Sequence, residues 1–136
     1  MNVIETILRA ANSVTNDLAD GANSVRALRE RQGEQIPYIV VTQDLVNPND
    51  TTSGQSMDEW EVQVYIVSDR RTTDGAKKGA YSIGENVRAA LHGVSGTHDD
   101  ESVNDIKYNR QSHQRFNSTN EVRIQVEQTY TMWINR

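Results

Sequence analysis

The segment EVRIQVEQTYTMWI, residues 121–134, alternates apolar and polar side chains more regularly than any other part of the chain. Its even-numbered positions are apolar except for Gln128, and its odd-numbered positions are polar except for Trp133. A period of two places successive side chains on opposite faces of a β-strand. The segment is therefore predicted to be a long strand that is buried on one face only.

A second long strand is predicted over residues 58–68, DEWEVQVYIVS, with Trp60, Val62, Val64 and Ile66 on its apolar face. This segment would extend about 36 Å at roughly 3.3 Å per residue, about twice the length of a typical strand. The helices of a chain this small cannot cover such a length. We therefore expect its end to project beyond the core or to pair with a strand edge of another chain.

Two further strands are predicted. One begins at Pro37, in the β-branched and aromatic run PYIVVTQD, and a weaker one covers residues 103–109. Polar stretches that are rich in turn-forming residues separate the strands from the other elements. They are predicted to be loops or connectors and cover residues 22–36, 47–57, 93–102 and 110–120.

Two segments repeat apolar residues at spacings of three and four, which places those residues on one stripe of a helix. The first predicted helix ends near Gly21; the second is capped by Thr73 or Asp74 and ends at Gly93. The first stripe consists of Val3, Ile4, Ile7, Leu8, Ala11, Val14 and Leu18. The second consists of Ala76, Ala80, Ile83, Val87, Ala90 and Leu91.

The predicted order of elements is therefore α-β-β-α-β-β. Long strands that are apolar on one side pack that side on helices, which indicates a two-layer α+β fold. The sheet is predicted to be mostly antiparallel, with about four long strands packed on two helices. At 136 residues the chain is expected to form a single domain, residues 1–136.

Composition excludes several classes of function. The chain carries 14 Lys and Arg against 19 Asp and Glu, a net charge of −5, which disfavours sequence-independent binding to nucleic acid or anionic lipid. It has no cysteine, which excludes disulfides, thiolate metal sites and a cysteine nucleophile. The N-terminal residues lack a signal-peptide pattern, and no apolar run approaches the roughly 20 residues that span a bilayer. We expect a soluble protein with no membrane partner.

The motifs that carry enzyme chemistry have weak counterparts here. In GAKKGAYSIG, residues 75–84, the lysines lie between the glycines and no Lys-Ser/Thr pair follows, so a phosphate loop is not indicated. The three histidines lack the spacing of a helical zinc site. No serine occupies a Gly-x-Ser-x-Gly turn, and the carboxylate pairs lie where solvated charge is usual. The sequence predicts no catalytic residue, no metal and no cofactor.

Two clusters of opposite charge are candidate subunit contacts, because such patches on one small domain can meet between neighbouring copies. Trp133 is a further candidate, since it interrupts a polar face and is expected to be covered by a partner. Solvated loops are the alternative interpretation of the clusters, and packing under a loop is that of Trp133. The basic cluster is Arg70, Arg71, Lys77 and Lys78; the acidic one is Asp99, Asp100, Glu101 and Asp105.

Taken in order, these segments resemble the tail terminator, or tail-completion, proteins of long-tailed bacteriophages. The likeness comprises a short N-terminal helix, IPYIVVTQD, a polar loop, WEVQVYIVSDRR, a helix whose last turn reads VRAALHG, and a final alternating strand pair. It covers nearly the whole chain. Its specificity lies in order and spacing, since each segment alone is ordinary strand or helix sequence.

This resemblance implies a structural virion protein of the tail or neck, assembled in the host cytoplasm and without catalysis. It implies a homo-oligomeric, hexameric ring that caps the tail tube, terminates tail growth and joins the tail to the head connector. The implied partners are the tail tube protein and a connector or neck protein, with residues 47–57 and 93–102 as candidate contact loops. Double-stranded DNA would pass through the channel without sequence-specific binding.

Other classes of function stay open at this point. Another phage neck or head-completion protein that forms rings also fits the resemblance. A monomeric α+β module could bind a ligand or peptide on its polar face or sheet edge, and a small enzyme is the third class. Ring formation would separate the assembly proteins from the other two classes.

Overall fold

Within the described residues, the computed structural model has one six-stranded sheet with helices packed on one of its faces. The described residues are 2–27, 35–50, 56–75, 78–117 and 122–135. The helices are α1 (Val3–Ala10), α2 (Asn12–Thr15), a short 3-10 helix (Gly21–Ser24) and α3 (Ala80–Leu91). The strands are β1 (Val25–Ala27), β2 (Tyr38–Asp50), β3 (Ser56–Ser68), β4 (Gly96–His98), β5 (Glu101–Asn117) and β6 (Val122–Asn135).

The strands lie side by side in the order β1-β2-β3-β6-β5-β4. Strand β1 is parallel to β2, and every other neighbouring pair is antiparallel. In the central pair, Met57 of β3 lies opposite Asn135 of β6, and Ser68 lies opposite Ile124. We use these residues to name the two ends of the sheet, the Met57 end and the Ser68 end. They are about 36 Å apart along β3, at roughly 3.3 Å per residue.

The alternation in β3 and β6 gives the sheet a covered face and an outer face. On the covered face, Val62, Val64 and Ile66 are fully buried beneath α1 and α3, and Trp60 is half-buried against the same core. On β6, the alternation predicted from sequence is confirmed, with Val126 and Met132 fully buried. The outer face presents mostly polar side chains, because the described helices all contact the other side.

The predicted architecture, a two-layer α+β fold with about four long strands packed on two helices, is wrong. The sheet has six strands, one of them parallel to its neighbour, and it curls around the helices as a half-barrel instead of lying flat beneath them. The curl brings Gln43 of β2 and Glu101 of β5 to the same cavity, although β3 and β6 lie between those strands. Strands β1 and β4 are three residues long, too short for a period to reveal them.

Several element boundaries also differ from prediction, among them the start of the second helix, whose N-cap is Gly79 and not Thr73 or Asp74. The first predicted helix breaks at Ala11, whose backbone is extended, so the apolar stripe continues through the short helix α2. Residues 110–120 were predicted to be a loop, yet β5 continues to Asn117. Bulges of β5 against β6 fall between Val103 and Asp105 and between Tyr108 and Arg110. The sequence did not predict this part of β5 because the side chains of residues 110–116 are exposed on both faces and show no burial pattern.

Gln128, the polar residue on the apolar face of β6, ties α3 to the sheet. Its Nε2 donates to the carbonyl of Gly84 in α3 at 2.8 Å and to Oε1 of Gln111 in β5 at 2.9 Å. Its own Oε1 accepts from the hydroxyl of Tyr130 at 2.7 Å. A Cβ at position 84 would come within 3.1 Å of Gln128 Nε2, so glycine permits the close approach of helix and strand. A buried amide that is bonded in this way stabilises one arrangement of the core.

We predict that Gln128→Leu lowers the free energy of unfolding by about 1–3 kcal/mol, because it leaves the buried Tyr130 hydroxyl without its acceptor and removes the side-chain bond to the Gly84 carbonyl. Urea denaturation measures the change. Gln125→Leu, on the half-buried outer face of the same strand, is the matched control and should change stability by about 0.5 kcal/mol or less. Equal losses in both variants would contradict a specific role for Gln128.

Candidate assembly surfaces

The basic cluster lies at the Ser68 end, in the segment that connects β3 to α3. Arg70 forms a bidentate salt bridge with Asp69, whose carboxylate oxygens lie 2.9 Å from Nε and 3.1 Å from Nη2 of the arginine. These hydrogen bonds raise the pKa of Arg70. Lys78 Nζ lies 3.9 Å from Asp17 Oδ1. Arg71 Nη2 lies 3.4 Å from the Tyr81 hydroxyl. Two of the predicted basic residues therefore already have acidic partners within the same copy.

Tight packing against the start of α3 holds this segment in place. The N–H groups of Ala80 and Tyr81 donate to the carbonyls of Arg70 and Arg71. A Cβ at Gly79 would overlap the backbone of Thr72, so only glycine fits there. The arginines thus project from an anchored segment. Lys77, the remaining member of the predicted cluster, lies outside the described residues.

The acidic cluster lies at the Met57 end, in the turn between β4 and β5. Asp99 and Asp100 both have positive φ, 51° and 61°, between His98 and Glu101, which lie opposite each other. A two-residue hairpin turn with both residues in the left-handed region favours Asp and Asn, which explains the Asp-Asp pair. Asp99, Asp100 and Glu101 are exposed. The predicted opposite clusters therefore occupy opposite ends of the sheet.

The curl of the sheet widens the acidic surface at the Met57 end. A cavity of about 230 Å³ opens there between Gln43 of β2, Asp58 and Trp60 of β3, and Asp99 and Glu101 of the hairpin. The far half of β2 and the acidic turn therefore belong to one end of the molecule.

Trp133 is half-buried on the outer face of β6, where it lies opposite Glu59 of β3 and Asp105 of β5. It is not part of either apolar cluster of the described residues. Its coverage by a partner stays a prediction.

Sequence reasoning missed an apolar pocket on the outer face at the Ser68 end. Tyr38, Val40 and Val67 are buried there, away from the main core, and line a cavity of about 430 Å³ together with Phe116. Phe116 is 49% exposed. The only hint in the sequence is that Val40 and Val67 each follow another apolar residue directly, which indicates that both faces of the sheet are buried there.

Carboxylates surround Tyr65 beside this pocket. Burial raises the pKa of Tyr65, and the nearby carboxylates of Glu127, Asp44 and Glu61 raise it further, because each disfavours the phenolate. Tyr130 is a separate case in the core, where burial raises its pKa above the usual range of tyrosine.

The described residues contain neither a metal-binding cluster nor a membrane-spanning helix. No group of three or more His, Cys, Asp and Glu side chains lies close enough together to hold a metal ion. None of the helices in these parts of the chain has the length and apolar character needed to cross a membrane.

Comparison with known proteins gives a family and a fold. The family model described as Tail completion protein gp17 matches residues 4–134. Among solved structures, 23 chains match. One of them, from a structure described as the virion of a native gene transfer agent (GTA) particle, superposes with a TM-score of 0.73 at 12% identity and covers 98% of this chain and 92% of that chain. At that identity the likeness is one of fold. No curated protein sequence matches.

We predict that stability falls as pH rises above about 10, the ordinary pKa of tyrosine, and that Tyr65→Phe reduces this fall. The raised pKa means that the folded state favours neutral Tyr65. Its contribution is therefore complete below about pH 10 and is lost as pH rises through the higher pKa of the folded state. Urea unfolding at several pH values measures the slope, and Tyr130 contributes equally in both proteins. Identical slopes would contradict the prediction.

Proposed function

The chain belongs to the Tail completion protein gp17 family, and on that premise we propose that it forms a ring that caps the tail tube, stops tail growth and joins the tail to the head connector. The chain is a structural protein of the bacteriophage virion. The proposed role is mechanical and assigns no catalytic step to any residue.

The observation that supports a ring is the separation of charge along the strands. Arg70 and Arg71 lie at the Ser68 end, and the Asp99 and Asp100 turn lies at the Met57 end. Opposite patches at opposite ends are complementary between copies in a head-to-tail contact, which is heterologous and closes into a ring when the rotation permits. A two-fold contact between the same end of two copies would instead place like charges together.

The acidic charge suits a channel for DNA. Six copies at −5 each carry a formal charge of −30. An acidic wall does not release the condensed counterions of DNA as a basic one does, so double-stranded DNA can slide past without adhering. Passage through the ring therefore needs no sequence-specific contact.

One end of the molecule carries both candidate contact loops. The β2–β3 hairpin, within residues 47–57, and the β4–β5 turn, within residues 93–102, both lie at the Met57 end. Residues 51–55 of the first loop lie outside the described residues. We propose that these loops contact the tube or the connector.

Mixing the purified protein with tubes of its tail tube protein tests the role. We predict a six-fold ring at one end of each tube in negative-stain electron microscopy, and tubes that stop growing once capped. A chain that stays monomeric and leaves tube growth unchanged would contradict the proposal. Such a result, with a small molecule bound in the outer-face pocket, would favour a binding module instead.

We predict that Arg70→Glu with Arg71→Glu weakens ring formation while the monomer stays folded, because Arg71 is exposed, Arg70 is only half-buried, and reversal removes the attraction between the charged ends. Light scattering after size exclusion measures the mass over a range of concentration and salt, and circular dichroism checks the fold. Lys107→Glu, an exposed change on β5, is the control for altered net charge. Unchanged assembly of the double variant would remove these arginines from the interface.

A further inference from the structure

Half of the outer edge of β5 is capped within the chain. Strand β4 covers Glu101 to Val103, the carbonyl of Ile106 accepts from the N–H of Gly93 at 2.7 Å, and the N–H of Tyr108 donates to Nδ1 of His92 at 3.1 Å. Beyond the bulge at residue 109, no described residue bonds to the outer backbone of residues 110–114. The side chains of residues 110–116 are all exposed. An open strand edge of this kind is a template for pairing with another strand.

The edge of β2 on the other side of the sheet is open at the opposite end. Strand β1 pairs only as far as Val41, and no described residue pairs with the outer edge of residues 42–46. Pro48 has no N–H, so the part of this edge that can pair ends before it. The two open edges are therefore similar in length and lie at opposite ends of the sheet.

The side chains of the two open edges are complementary. All the large apolar side chains exposed within the described residues belong to them: Leu45 and Val46 on β2, and Phe116 on β5. Residues 110–116 carry two arginines and no carboxylate, whereas Asp44 is exposed on residues 42–46, which carry no positive charge.

We propose that residues 110–112 of one copy pair with residues 42–44 of the next copy, with Arg110 opposite Asp44 and Ser112 opposite Thr42, so that the sheet continues from subunit to subunit. This proposal rests on the homo-oligomeric ring. It adds a contact between strand edges to the contact between the charged ends. Strand β5 runs from the Met57 end to the Ser68 end, and β2 runs in the reverse direction. Copies related by a ring axis have the same orientation, so the joint is antiparallel and continues the alternation of β2, β3, β6 and β5.

Charge selects this joint over a two-fold one. Pairing β5 with β5 would place Arg110 near the arginines of its partner, and pairing β2 with β2 would place Asp44 near Asp44. Like charges directly opposite in a sheet are unfavourable, and opposite charges are favourable.

Single cysteines test the joint directly, because the natural chain has none. Ser112 of β5 and Thr42 and Asp44 of β2 all lie on the outer face, as their register through β3 and β6 indicates. The full-length Ser112→Cys variant is mixed with Thr42→Cys or with Asp44→Cys, and a short thiol-to-thiol crosslinker is added. We expect a covalent dimer of unlike variants. A protein with both Ser112→Cys and Thr42→Cys should give a ladder of products that ends at the ring.

Lys107→Cys is the matched control, because it lies on the same face of β5 where the edge is already capped. It should crosslink to Thr42→Cys at about one fifth of the rate of Ser112→Cys or less. That ratio corresponds to the energy of one cross-strand side-chain pair. Equal rates for the two positions on β5 would overturn the proposal. So would Ser112→Cys crosslinking faster to itself than to either β2 variant, since that outcome indicates a two-fold joint.

A charge exchange gives independent support. Arg110→Glu or Asp44→Lys alone should weaken assembly about fivefold, and the two together in one chain should restore it, because attraction across the joint returns. If rings form on tubes, but the expected crosslinks do not form and these reversals have no effect, the strand joint is rejected and the ring is retained. Absence of both rings and crosslinks would reject both.

Discussion

The pairing of β3 with β6 is the constraint on which the rest of the structure depends. Their backbones are bonded along their full length, from Met57 opposite Asn135 to Ser68 opposite Ile124. Their apolar residues lie on the same face, so the core forms there, and α1 and α3 can pack only there. Gln128 then fixes how closely α3 approaches, because its amide is bonded to Gly84 of the helix and Gln111 of β5. The outer face is left with polar side chains and one apolar pocket.

The same constraint leaves part of both sheet edges uncovered within the described residues. Strands β1 and β4 are three residues each, and they pair with Ile39–Val41 of β2 and Glu101–Val103 of β5. The parts of the two edges that no described residue covers lie toward opposite ends. Opposite charges also lie at opposite ends of the sheet, with Arg70 and Arg71 at the Ser68 end and Asp99 and Asp100 at the Met57 end. Both features favour neighbours in the same orientation, the arrangement that a ring in a phage tail requires.

Prediction from sequence succeeded where one face of an element is buried and the other is exposed to solvent. The alternation in β6, the apolar face of β3 and the stripe Ile83, Val87 and Leu91 of α3 are all buried as predicted. It failed for residues 110–116, where both faces are exposed and where, among the described residues, backbone pairing is with β6. It also failed for the architecture, because side-chain period does not determine strand order or curl. The candidate contact residues Arg70, Asp99 and Asp100 were visible as charges, whereas the open edges were not.

The sequence by itself determined which residues form the core, which strands are long and that the chain carries excess negative charge, because each of these depends on side-chain chemistry at local spacing. Only the tertiary structure decided that β1 joins the sheet in parallel, that the sheet curls, and that Leu45, Val46 and Phe116 lie on uncovered edges. Those features depend on which backbone groups find partners. Backbone hydrogen bonds are chemically the same at every residue, so the sequence does not reveal which of them are satisfied within the chain and which are left for a neighbour.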